Sequence, residues 1–292
     1  MTSNVSDPAI DWRRLGLVSA DRLRNARRQL HWAVRMIGSA GARVLDAEPD
    51  DSHHAFEWHA DAGFFVQHVT RGQRAFCTAV GMAPPCLALL TPDGEEVLSQ
   101  FHLHGKTIDE GLAWLTHELE ALHGPLDAPL DPPDQAEPHP VKSDGVAFDT
   151  GDTEAFEELR YWYINSQRLL DTTITRRPDA SVIRMWPHHF DIASLITLDP
   201  DVEDREAARS VGVGMSPGDG SYADPYLYVT PWPYPEQPEL RELAEGHWHR
   251  DGFLAAILTH EDLVSAGTAS DQARRARSFV AEATAAALAL IG

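Results

Sequence analysis

Two His-x-Asp pairs are the first residues in this chain with types and spacing suited to chemistry. They are His59-Ala60-Asp61 and His189-Phe190-Asp191. Residues two apart on a strand point to the same face, so each pair would present an imidazole and a carboxylate side by side. His102 with His104 and His247 with His249 have the same spacing. Imidazole nitrogen and carboxylate oxygen are ligands for Zn²⁺, Fe²⁺ or Mn²⁺. If the two pairs meet at a pseudo-twofold axis, His59, Asp61, His189 and Asp191 converge as a divalent-metal site. Without a metal, Asp191 and His189 could act as an acid–base pair. In a purely structural role, Asp191 would bond buried backbone or an arginine such as Arg184.

A second candidate is Gly214-Met215-Ser216-Pro217-Gly218, which fits the G-x-S-x-G pattern of a hydrolase nucleophile elbow. An elbow needs the backbone N–H of the residue after the serine for its oxyanion hole, and a helix after the turn. Here that residue is Pro217, which has no N–H, and "GDGSYADPYLYVTP" is not helix-forming. Ser216 is therefore expected at a hairpin connection, with no nucleophilic role. Gly212-Val213-Gly214 precedes a strand, so it lacks the helix N-terminus that would hold a phosphate.

Aromatic residues crowd the second half: Trp186, Tyr222, Tyr226, Tyr228, Trp232, Tyr234 and Trp248. Tyr and Trp suit surfaces that are partly dry and partly wet, in a pocket, an interface or a sheet core. The ligand-binding candidates are Trp186, His188, Tyr228 and Trp232.

The elements that must position these residues fall into two similar halves. Residues 1–18 are expected to be a flexible arm, and 124–152 a Pro/Asp-rich linker or wrapped loop. Residues 19–123 and 153–292 each read as helix, four strands, helix. Ser19 caps the first helix, with Leu23, Ala26, Leu30, Ala33 and Ile37 at helical spacing and Gly38 as its stop. Thr107 and Glu110 form a capping box before Ile108, Leu112, Leu115 and Leu119. Asp152 or Thr153 caps the helix of the second half, and a last helix starts near Ser270. Trp32 and Trp162, His59 and His189, and Asp61 and Asp191 are each 130 residues apart; Gly81-Met82 and Gly214-Met215 are 133 apart, and Thr91-Pro92 and Thr230-Pro231 139. The expected fold is α+β, a tandem pseudo-duplication with helices packed on antiparallel sheet. The two units would join into one sheet or pack as two layers. Asp61 and Asp191 are expected at corresponding, shielded strand positions, each with a partner that satisfies it.

The second half also resembles a family of bacterial proteins catalogued as a domain of unknown function. The resemblance rests on an aromatic–Phe-Asp–aliphatic–Ala strand (Trp186, Phe190, Asp191, Ala193), a Ser/Gly/Pro-Gly loop (Ser210, Gly214, Pro217, Gly218, Gly220) and Tyr228. It implies a shared element order and no particular activity.

The formal net charge of −21 repels phosphate backbones and anionic lipid, so nucleic acid and membrane are not expected partners. No apolar run suits a signal peptide or a membrane span, and Cys77 and Cys86 suit buried thiols in a reducing cytoplasm. A small organic molecule bound near Trp186, Asp191 and Tyr228 is the leading expectation, as ligand or substrate. The alternatives are metal-dependent chemistry at the His-x-Asp pairs, and a non-catalytic homo-oligomer or partner-binding surface.

Overall fold

The computed structural model describes residues 11–46, 48, 52–69, 72–130, 136–202 and 207–292. The fold is α+β, with helices on one face of two antiparallel sheets. The first half runs α1 (Ala20–Val44), β1 (Glu57–His59), β2 (Phe64–Val69), β3 (Phe76–Met82), β4 (Pro85–Leu90), β5 (Val97–His102) and α2 (Ile108–Leu122). The second runs α3 (Thr153–Thr173), β6 (Arg184–Trp186), β7 (Asp191–Thr197), β8 (Ser210–Ser216), β9 (Tyr226–Trp232), β10 (His247–His249), β11 (Ala255–Thr259), α4 (His260–Val264) and α5 (Ala269–Ile291). Each half thus exceeds the four strands expected. The sheets are five- and six-stranded, ordered β1-β2-β3-β4-β5 and β10-β11-β9-β8-β7-β6. β1, β6 and β10 have three residues each, too few for a recognisable alternation.

The two sheets meet edge to edge. Phe56 and Met185 exchange both backbone hydrogen bonds, at 2.8 and 2.9 Å, beside β1 and β6. Joining there gives the β1 and β6 edges a partner and leaves β5 and β10 as the outer edges. Strand alternation sends Phe65, Val80, Leu87, Ile192, Val213, Leu227 and Leu258 to the helix side. There they share one core with Trp32 of α1, Trp162 of α3 and Phe279 of α5. Each such side chain contributes roughly 1.5–3 kcal/mol by leaving water. The opposite, outer face carries two smaller clusters, one on Val66, Cys77, Ala79, Ala88 and Leu90, the other on Tyr226, Ala255 and Ile257.

Helix ends follow local chemistry. The Thr107–Glu110 capping box of α2 is complete, and Asp152 accepts the Ala155 N–H at the start of α3. α1 does not stop at Gly38; it continues to Val44. At Gly41 the Gln67 carboxamide lies where a Cβ would stand.

Two segments expected to be loose are docked. In the arm, Trp12 and Leu15 are buried, and Glu158 of α3 accepts the backbone N–H groups of Gly16, Leu17 and Val18 at 2.7 Å each. The rest of the expected arm, residues 1–10, lies outside the described residues. The Pro/Asp-rich segment straps α1. Trp32 Nε1 donates to Glu137 O at 3.1 Å, Gln29 exchanges two bonds with Asp149, and Val141 and Phe148 are buried. Cys77 and Cys86 are free, buried thiols that face Leu90 and Gly81 across the β3–β4 hairpin. Among the described residues no helix is long and apolar enough to cross a membrane.

The internal repeat is real at the hairpins, in a different register from the one expected. β1–β2 and β6–β7 are joined by four-residue turns, 60–63 and 187–190. Gly63 N donates to His59 O at 2.8 Å, and Phe190 N to Trp186 O at 2.7 Å. The offset is therefore 127, which pairs His59 with Trp186 and Phe64 with Asp191. The 130-residue matches of His59 with His189 and Asp61 with Asp191 are not structural equivalents. Asp61 is exposed in the first turn, so the expectation of a buried strand position fails for it.

Candidate functional site

Asp191 is the first residue of β7, immediately after a turn gripped from two sides. Phe190, the last turn residue, has φ +58°, a conformation rare for a bulky side chain. Tyr163 Oη of α3 donates to Phe190 O at 2.5 Å, and the His31 ring of α1 stacks on the Phe190 ring at 5.4 Å. His31 Nε2 lies 3.0 Å from Pro187 O, and burial lowers this imidazole from 6.5 to about 4. His31 is thus neutral, and Nε2–H donates to the carbonyl.

Asp191 lies on the outer sheet face and is only 9% exposed. Tyr228 Oη on β9 donates to its Oδ2 at 2.5 Å. Its Oδ1 is buried with no hydrogen-bond partner among the described residues. Desolvation raises the Asp191 pKa, against the opposing effects of the Tyr228 bond and of nearby His189, and the Asp219 charge pushes it further up. Tyr228, buried against this carboxyl, is held well above its ordinary value. The tyrosine can reach across the sheet because Gly214 lies between. A Cβ there would stand 2.7 Å from Tyr228 Oη and 2.8 Å from Ala193 Cβ. An aspartic acid shielded this way can hold or release a proton at one free oxygen.

Next to it on the outer face stands an aromatic and polar wall. Tyr226 Oη donates to Asp219 Oδ2 at 2.6 Å, while Asp219 Oδ1 accepts the Ser221 and Tyr222 N–H groups. Tyr222 Oη lies 2.9 Å from His247 Nε2 and 3.0 Å from His249 Nδ1. His249 Nε2 donates to Asp251 O, so its Nδ1 accepts from the tyrosine. Tyr222 and Tyr226 have ring centroids 5.0 Å apart, and His249 stacks on Phe253 at 4.1 Å.

The other sequence candidates are spread out. Trp186 pairs with Asp191 across the β6–β7 hairpin and is half-buried. His188 and His189 are exposed on the turn, their rings 4.4 Å apart. Trp232 is exposed and packs on Tyr234, four residues along β9 from Tyr228, or about 13 Å. Ser216 is buried at the end of β8, where its Oγ accepts the Gly218 N–H at 3.2 Å, a local turn bond and not a nucleophile's setting.

The four expected metal ligands do not converge. Among the described residues, the one group of three or more ligand atoms within 4.8 Å of one another is Glu57, His59 and His68. Only His59 belongs to the expected set. Glu57-x-His59 has the same two-residue spacing as the His-x-Asp pairs, so it was within reach of the same argument. His68 comes from the neighbouring strand and needed the β1–β2 register. Asp219 was not among the expected residues, and Tyr222 stood among the aromatic residues but not among the ligand-binding candidates, because a loop brings both to the site.

No protein family, curated protein or solved structure was found to match this chain.

Proposed function

We propose that the protein binds a small organic molecule on the outer face of the second sheet, anchored at Asp191. The observation that carries this reading is the buried Asp191 Oδ1, without a hydrogen-bond partner among the described residues, on a carboxyl whose other oxygen is held by Tyr228. A buried polar atom left unpaired costs about 1–3 kcal/mol, a cost that a ligand's hydrogen bond would remove. Trp186 and the Tyr222–Tyr226 pair supply flat apolar surface near it, the usual complement of a few polar anchors. The ligand is a neutral, planar molecule with a group that exchanges a hydrogen bond or a proton with a carboxyl. The strongly acidic chain disfavours anions. Trp232 takes no part.

A thermal-shift screen of neutral heterocycles and phenols, followed by ligand-observed NMR, tests this reading. Asp191→Asn should keep stability within about 1 kcal/mol, since it replaces a costly buried carboxyl by an amide of the same shape. It should also weaken binding at least about tenfold. Equal binding by wild type and Asp191→Asn would remove the site from Asp191.

A further inference from the structure

A second site lies at the seam of the two sheets and does not depend on the Asp191 reading. We infer that Glu57, His59 and His68 form a binding site for one divalent first-row transition ion, with Nε2 of both imidazoles and Oε2 of the carboxylate as ligands. Glu57 and His59 share a face of β1, and His68 lies on the neighbouring β2. His68 Nε2 is 3.4 Å from Glu57 Oε2, and His59 Nε2 is 3.8 Å from it. One ligand atom from each of the three residues lies within 4.8 Å of the other two. A tetrahedral ion about 2.0–2.2 Å from each would draw them to separations of about 3.3–3.6 Å. Small rotations of side chains that are 28–41% exposed cover that difference.

The hydrogen bonds around the triad already orient it. Cys77 Sγ lies 3.2 Å from His68 Nδ1, a contact that holds the ring with its Nε2 turned toward Glu57 Oε2. The other carboxylate oxygen, Oε1, is held by Arg184 Nη1 across the seam at 3.0 Å. A partner on the non-ligating atom is the usual outer support of a metal ligand. Two imidazoles and one carboxylate leave coordination positions open, as in mononuclear Zn²⁺ and Fe²⁺ centres with exchangeable ligands. Those positions adjoin a cleft of 360 Å³ lined by Glu57, His68 and Arg184 with Asp46, Glu48 and His53. The site takes water, or a small ligand with oxygen donors, as its remaining ligands.

The test is titration calorimetry of the chelator-stripped full chain with Zn²⁺, together with the visible spectrum of the Co²⁺-loaded chain. The wild type should take up one ion per chain and give the Co²⁺ bands of a nitrogen- and oxygen-ligated ion. His59→Ala and His68→Ala should each weaken binding by more than the about 10–100-fold that loss of an outer partner costs. Cys77→Ala, which frees His68 Nδ1, should cost about tenfold. The double variant His188→Ala/His189→Ala should bind like the wild type. No stoichiometric uptake, or uptake unchanged in both His59→Ala and His68→Ala, would overturn the site. If those variants do not fold, proton NMR of the Co²⁺-loaded wild type decides. Two paramagnetically shifted imidazoles support the site, and none removes it.

Discussion

The β1–β2 and β6–β7 hairpins share one backbone and have opposite chemistry. The last residue of each four-residue turn adopts a positive φ: Gly63 at +73° and Phe190 at +58°. Glycine takes that conformation freely, whereas phenylalanine gives up about 1–2 kcal/mol to do so. In the first hairpin the residue that follows is Phe64; in the second it is the buried Asp191. The repeat that carries the shielded carboxyl is thus also the one with a strained turn, held by Tyr163, His31 and the Phe65 ring 5.8 Å away. Strain kept by surrounding contacts beside a costly buried acid marks the second hairpin as the specialised copy.

Phe190→Gly breaks this difference most directly. It relieves about 1 kcal/mol of backbone strain and removes a fully buried ring, worth about 3–5 kcal/mol. Urea unfolding should show a net loss of about 3 kcal/mol. A neutral or stabilising result would mean that the ring does not hold the turn.

His31 sharpens the same contrast through pH. Its imidazole titrates at about 4 in the folded chain, against an ordinary 6.5, because burial disfavours the cation. Arg27 and Arg35 face it and depress it further, while Glu137 and the Pro187 carbonyl oppose them. The unfolded chain therefore takes up this proton first. Stability is full above pH 6.5 and is lost as pH falls through about 4, by about 3 kcal/mol from this group. The Asp191 carboxyl, raised by burial, works in the opposite sense, favouring the folded state at low pH. His31→Phe keeps the stack on Phe190 and should flatten the wild-type loss over this window by that amount. An unchanged pH slope would refute the assignment.

Gly214 and Ala79 occupy matching places, opposite Ala193 and Val66. Ala79 faces Ala88 across β3–β4, whereas Gly214 faces Tyr228 across β8–β9. Gly214→Ala would force a methyl into Tyr228 and should cost about 2 kcal/mol, while detaching the phenol from Asp191. Ala79→Gly, the mirror exchange, should cost about 1 kcal/mol. Equal costs would mean that the glycine does not make room for the tyrosine.

Much of this was legible in the chain. The α2 capping box, the helix stripes and the burial of Asp191 follow from side-chain type and period. Phe190 carries no such signal, since its left-handed backbone is imposed by Tyr163 and His31 from distant helices. The Glu57, His59 and His68 group depends on a strand register that a three-residue β1 does not announce. The docking of residues 11–18 depends on Glu158, a buried acid whose partners are backbone N–H groups far away in sequence.

Asp61 provides the smallest effect and the closest control. "AFEWHADAGFF" reads as one strand-like run, which suggested a shielded carboxylate paired with Asp191 in the other half. Asp61-Ala62-Gly63 instead makes the turn, and Gly63 lets it close. Asp61 therefore stands in water, where a carboxylate keeps its hydration and needs no partner. Its structural counterpart at the 127-residue offset is His188, exposed on the second turn. Asp61→Ala should change stability by no more than about 0.5 kcal/mol and leave small-molecule binding untouched. Ion uptake at Glu57, His59 and His68 should also persist, because the aspartate is not a ligand there. A loss of Zn²⁺ affinity in Asp61→Ala would redraw the metal site around the first turn and restore the pairing of the two halves.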